Sequence, residues 1–177
     1  MESGTTQAGT LKAHREALAR NPAAYTADLP RIRLTAVHHL KKCGFRRVTH
    51  VRCSSLVDRF VDAIFDTQDR LPFFHVDNPL PYCWNAPKDW AHNYIRYEWG
   101  HLFSRNQNEG AHDIENICLQ SARCNQHVQT SMDIDEVLRW LGGSCVAERV
   151  RRVLARRQEL FGTDKWSELL DEFSGFR

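Results

Sequence analysis

Three polar residues combine the types and spacing that phosphodiester chemistry requires. His101 ends a short apolar-aromatic run containing Ile95, Tyr97 and Trp99. Asn116 lies fifteen positions later, just before a second apolar run at residues 117–119, and Asn125 follows nine further on in a stretch that reads as a helix. A histidine on one strand, an asparagine entering the next and an asparagine on the following helix make a ββα unit. Cutting a phosphodiester needs a base to deprotonate water, a cation to neutralise developing charge, and a frame to hold both in line. Histidine suits the first task because its ordinary pKa lies near working pH. The oxygen of Asn125 suits magnesium, a hard cation that prefers oxygen ligands and keeps several waters. Asn116 can tie the loop to the hairpin through its amide, fixing the distance between base and cation.

Each residue also has a plainer reading. His101 can be a buried histidine satisfied by a carbonyl, Asn116 a turn cap, and Asn125 an exposed helix residue. Their joint spacing favours the chemical reading over the three separate ones.

The stretch from residue 98 to 131, EWGHLFSRNQNEGAHDIENICLQSARCNQHVQTS, resembles the HNH (His-Me finger, ββα-metal) nuclease superfamily. Its middle, HDIENICLQSARCNQH, is similar to the D-x-x-N-L-x-x-L-C-x-x-C-N segment of that family. The resemblance covers about a fifth of the chain. It implies His101 as general base, Asn116 as the structural asparagine and Asn125 as metal ligand, with Mg2+ or Mn2+ as cofactor. It also implies double-stranded DNA as substrate, site-specific cleavage of the restriction or homing type, and a homodimer, since cutting both strands needs two sites.

Two departures qualify this. The residue before the histidine, usually a metal-binding aspartate, is Gly100. That leaves either an inactive site or one resembling the His-Cys box branch, where one asparagine is the only protein ligand. Glu98 is a carboxylate within reach, but positions 98 and 101 of a strand point to opposite faces, so direct substitution needs a bulge. Glu98 and His127 are secondary metal or phosphate contacts at most. Many relatives also staple this unit with paired C-x-x-C knuckles. Here that would need cysteine at Ser121 as well as Cys124, so no structural zinc is expected and the helical remainder of the chain should hold the hairpin.

Charge distribution completes the candidate site. The net charge is only +2, but Arg149, Arg151, Arg152, Arg156 and Arg157 crowd one predicted helix, where they are expected to face outward and to neutralise phosphates. Arg96, Arg105 and Arg123 flank the site, and one of them could stabilise the leaving group. Two alternatives stand beside the site-specific enzyme. One is a nonspecific or RNA-directed nuclease or toxin; the other is a catalytically inactive DNA-binding module, motivated by Gly100.

The elements that must position these residues are mostly helical. Residues 1–8 are expected to be disordered, 9–92 to form a helical region with an irregular Pro/aromatic loop at 71–90, 93–131 to hold the ββα unit, and 132–177 to form C-terminal helices. Within these limits, helices are predicted at 11–21, at 29–42 with Pro30 in the first turn, and through Phe65 after a cap at Ser54 or Ser55. Asp133 or Asp135, Ser144 and Thr163 are read as caps of three more. Residues 47–52 alternate weakly, as a strand would. The fold class is therefore α+β, mainly helical, built around one small hairpin. No apolar run approaches membrane-spanning length. The six cysteines form no framework, which points to free thiols in a reducing cytoplasm.

Overall fold

Apolar residues at helical spacing account for most of the architecture. The computed structural model describes residues 23–49, 51–73, 97–103, 113–121, 124–125, 129 and 132–177. Within them lie α1 (Ala23–Lys42), α2 (Ser54–Thr67), β1 (Tyr97–His101), β2 (Ile117–Ser121), α3 (Ile134–Leu141), α4 (Cys145–Phe161) and α5 (Asp164–Ser174). The chain is α+β and mainly helical, with one antiparallel hairpin. Residues 1–8, the helix expected at 11–21 and residues 74–90 of the Pro/aromatic loop lie outside the described residues. No helix among the described residues is long and apolar enough to cross a membrane.

Local chemistry sets the helix starts. Ser144 Oγ accepts from Ala147 N at 3.2 Å and Thr163 Oγ1 accepts from Trp166 N at 3.2 Å, each satisfying an amide the helix itself leaves open. Asp133 opens α3 as a capping box, its own N–H donating to Glu136 Oε2 at 2.9 Å. Gly142 closes α3 with φ 58°, a conformation glycine adopts without steric penalty.

Three expectations are corrected. α1 begins at Ala23 rather than near residue 29, with the exposed Pro30 inside it. α2 starts at Ser54, and Cys53 caps it without a side-chain hydrogen bond. The described residues of 47–52 form no strand, because their main-chain groups are used elsewhere: Arg47 N donates to Phe176 O, and Thr49 O accepts from Cys53 N, winding the chain toward α2.

The hairpin is the layer between two cores. Its register runs from Tyr97 opposite Ser121 to His101 opposite Ile117. Alternation puts Tyr97, Trp99, Ile117 and Leu119 into one apolar cluster with α1, α2 and α5. There Phe60 stacks on Trp99 with ring centroids 5.6 Å apart, and Trp99 Nε1 donates to Ile32 O at 3.0 Å. Cys118, from the other face, joins Leu102, Phe73, Cys124 and the inner residues of α3 and α4 in a second cluster. Helices thus cover both faces of a sheet that two strands alone could not stabilise.

The outer edge of β2 is closed by a side chain. Gln68 Nε2 donates to Leu119 O at 2.8 Å and Gln68 Oε1 accepts from Leu119 N at 3.1 Å. One buried amide thereby stands in for a third strand at this position.

Candidate active site

His101 is the last residue of β1, and the peptides after it are fixed by an unusual density of hydrogen bonds. Leu102 N donates to Asn116 O at 2.8 Å, and Leu102 O accepts from Ile134 N at 2.8 Å and from Gln129 Nε2 at 3.0 Å. Asn116 Oδ1 accepts from Phe103 N at 2.9 Å while its Nδ2 donates to Phe103 O at 3.1 Å. Asn116 therefore extends the ladder one step beyond the strand end, using its backbone carbonyl and both ends of its amide. It is 7% exposed, so little water competes for those bonds. Asn116 thus ties the start of β2 to the segment that follows His101. His101 itself is partly exposed, and its ring lies 5.9 Å, centroid to centroid, from that of His39 on α1.

A second helix supports Asn116 from behind. Arg157 on α4 donates through one terminal nitrogen to Glu115 O at 2.9 Å and Ile117 O at 2.8 Å, the carbonyls on either side of Asn116. Its guanidinium lies 5.0 Å from the Phe161 ring centroid, and burial lowers its pKa. Arg157 is 1% exposed, so it cannot contact a phosphate on the surface.

The arginine row is corrected further. Arg149 donates to the carbonyls of Gln68, Pro72 and Phe73, tying α4 to the end of α2. Arg156 is exposed but paired with Asp69. Arg151 and Arg152 are exposed, as a phosphate contact requires. The row does not face outward as a block because Arg157 continues the stripe of Val146, Val150 and Val153, at spacings of four, three and four. That spacing was visible in the sequence.

The opposite face of β1 gathers different chemistry. Glu98 and Gly100 share this face, and the ladder shows no bulge. Asn125 Nδ2 donates to Glu98 Oε2 at 3.2 Å. A Cβ on Gly100 would lie 2.7 Å from Asn125 Oδ1 and 2.8 Å from Gln120 Nε2. The need for a bulge is therefore corrected: the relevant parity is with Gly100, not His101, and Glu98 reaches Asn125 from a regular strand. Gln120, fully buried, donates through Nε2 to Gln129 Oε1, while its own Oε1 has no hydrogen-bond partner.

These donors fit a hard divalent cation. They are the Glu98 carboxylate bonded to the Asn125 amide, whose Oδ1 faces Gly100, and the buried Gln120 amide, whose Nε2 faces Gly100 and whose Oε1 lacks a donor. Among the described residues no three His, Cys, Asp or Glu converge as a closed metal cage. Cys118 and Cys124 are buried in the apolar cluster, and burial pushes the Cys118 thiol up to about 11, keeping it protonated. Ser121, where a paired knuckle would need cysteine, instead accepts from Cys124 N at 3.2 Å, as a helix N-cap does.

The three residues singled out in sequence thus lie around the end of β1 but on different sides of it. His101 lies on the α1 side, Asn125 on the other, and Asn116 beyond the end. Arg96, Arg105, Arg123 and His127 lie outside the described residues. His39, Gln120, Gln129 and the bracing role of Arg157 were not anticipated. The adjacent histidines at 38 and 39 were a signal for the first, though their spacing alone did not resemble a site. In comparisons with known proteins, the chain matches no family model, no curated protein and no solved structure.

Proposed function

We propose that this chain is a divalent-metal-dependent DNA endonuclease with His101 as general base and Asn125 as a metal ligand. The observation that supports this best is the clamp of Asn116 on Phe103, two residues after His101, with Asn125 against Gly100, the residue before it. A base must sit at a fixed distance from the scissile phosphate, and the double clamp of Asn116 on Phe103 removes the freedom of the backbone beside His101.

In this reading His101 takes a proton from water as the water oxygen bonds to phosphorus. The bond to the leaving oxygen breaks in line, and that oxygen is protonated from solvent. When bound, Mg2+ or Mn2+ would neutralise charge on the phosphate. Exposed Arg151 and Arg152 supply positive charge on α4 for duplex phosphates. Site-specific cutting by a homodimer, in a reducing cytoplasm, is the form of this activity that the HNH resemblance favours.

Gly100 favours a second reading, a DNA-binding module without catalysis, because the position before the histidine offers no carboxylate. Supercoiled plasmid incubated with the full chain and Mg2+, against the same mixture with EDTA, separates the two. Magnesium-dependent nicked and linear products support the enzyme, and sequenced ends sharing a motif make it site-specific. DNA binding with no cleavage in Mg2+ or Mn2+ supports the module. Cleavage of RNA in preference to DNA reassigns the substrate.

A further inference from the structure

We infer that Glu98 is a second protein ligand to the divalent cation, so that the site is a carboxylate–amide pair rather than a single asparagine. The inference rests on the nuclease reading of the same site and adds a residue to it.

The starting point is strand parity. Positions 98 and 100 of β1 face the same way, one strand repeat apart, and the uninterrupted pairing from Tyr97 to His101 keeps them so. At position 100 a Cβ would fall 2.7 Å from Asn125 Oδ1 and 2.8 Å from Gln120 Nε2, so any side chain there would displace both amides. At position 98 a long acidic side chain spans the gap and meets Asn125 at 3.2 Å. The carboxylate missing before the histidine is thus present on the same face, one repeat earlier, on a side chain one methylene longer than aspartate.

The distances suit the ion. A half-turn of the Asn125 amide about χ2 exchanges Nδ2 for Oδ1 and leaves two oxygens at the separation the hydrogen bond now has, 3.2 Å. Neighbouring oxygens around an octahedral Mg2+ with bonds of about 2.1 Å lie about 3 Å apart. The cation would then replace the hydrogen bond between the same two groups. A carboxylate also lowers the net charge of the bound ion, which an amide cannot do. Gln120 is the independent sign of a ligand here. It is buried, its amide lies against Gly100, and its Oε1 has no hydrogen-bond partner. A polar oxygen in that position is destabilising unless something positive or hydrogen-donating approaches it.

A purely orienting role for Glu98, accepting the Asn125 hydrogen bond, makes a different forecast. Glutamine keeps an acceptor oxygen of the same reach and loses only the charge. The test is therefore Mn2+ titration of the full-length protein, followed by the loss of the free-ion electron paramagnetic resonance signal. Wild type, Glu98→Gln and His101→Ala are compared.

The expected result is one Mn2+ bound by wild type, at least tenfold weaker binding by Glu98→Gln, and unchanged binding by His101→Ala. Melting each protein with and without Mn2+ gives a readout independent of its starting stability, since a ligand of the folded state raises the transition. That rise should shrink in Glu98→Gln and persist in His101→Ala. Equal Mn2+ affinity in wild type and Glu98→Gln overturns the role of Glu98, and plasmid cleavage by wild type in the same buffer would then leave the nuclease reading standing. No Mn2+ binding by wild type overturns both.

Discussion

The two faces of the hairpin are built by opposite means. Toward α1, α2 and α5, Tyr97 and Trp99 interlock with Phe60 and Phe65 at ring separations of 5.2 to 5.6 Å, and His101 sits at the margin of that packing beside His39. Toward α3 and α4, the same strand presents Glu98, bonded to the Asn125 amide, and Gly100, with the Asn125 and Gln120 amides against it. Dispersion and apolar burial hold the first face, with little directional demand. The second adds to the apolar cluster around Cys118 a set of hydrogen bonds whose partners must match individually, and one acceptor there, Gln120 Oε1, is unmatched. A strand end clamped from one side by packing, and lined on the other by oxygen donors, is rigid where the base stands and polar where a cation is proposed.

Substitutions can break that division in order of size. Trp99→Ala should be the most disruptive, at about 3–5 kcal/mol by chemical denaturation, as for other large aromatic core residues. A cost below about 1 kcal/mol would show that the aromatic face is not the scaffold. Asn116→Ala leaves Phe103 N–H and C=O without their protein partners and should cost about 1–3 kcal/mol. It should lower cleavage by more than that stability loss explains, because the chain two residues after His101 loses its side-chain clamp. Cleavage at the wild-type rate in a folded Asn116→Ala protein would remove the brace from the mechanism.

Gly100→Ala sharpens the other side. The added methyl meets only the ends of the Asn125 and Gln120 side chains, so a cost of about 1 kcal/mol is expected, the low end for overpacking. Mn2+ affinity should nonetheless fall, since both amides must move; unchanged affinity would place the cation elsewhere. The smallest effect belongs to Arg152→Gln on exposed α4. Its stability should change by less than about 0.5 kcal/mol, and the slope of log K for duplex DNA against log salt should flatten by about 1. An unchanged slope would take α4 out of the DNA interface.

The parts of this arrangement legible in the sequence are local in the chain. The spacing of His101, Asn116 and Asn125 reflects a hairpin and the start of the next helix, and Asp133, Ser144 and Thr163 cap helices through bonds three residues long. Gln68 is different: it closes the edge of a strand 51 residues away, and no periodicity announces that. His39 meets His101 only because α1 packs across β1. Arg157 is an intermediate case, since its place on the apolar stripe of α4 was readable but its charge suggested solvent. The parity of Glu98 with Gly100 was likewise present in the numbering. Measuring Glu98 against the histidine instead of the glycine concealed it.

The most direct measurement is the rate of magnesium-dependent plasmid nicking by wild type and by His101→Ala, with both proteins shown to be folded by circular dichroism. Loss of a positioned general base should slow nicking by about 10²–10⁴-fold while leaving the melting transition in place. Equal rates in the two proteins, or no nicking by wild type with either magnesium or manganese, would contradict His101 as the base of a nuclease.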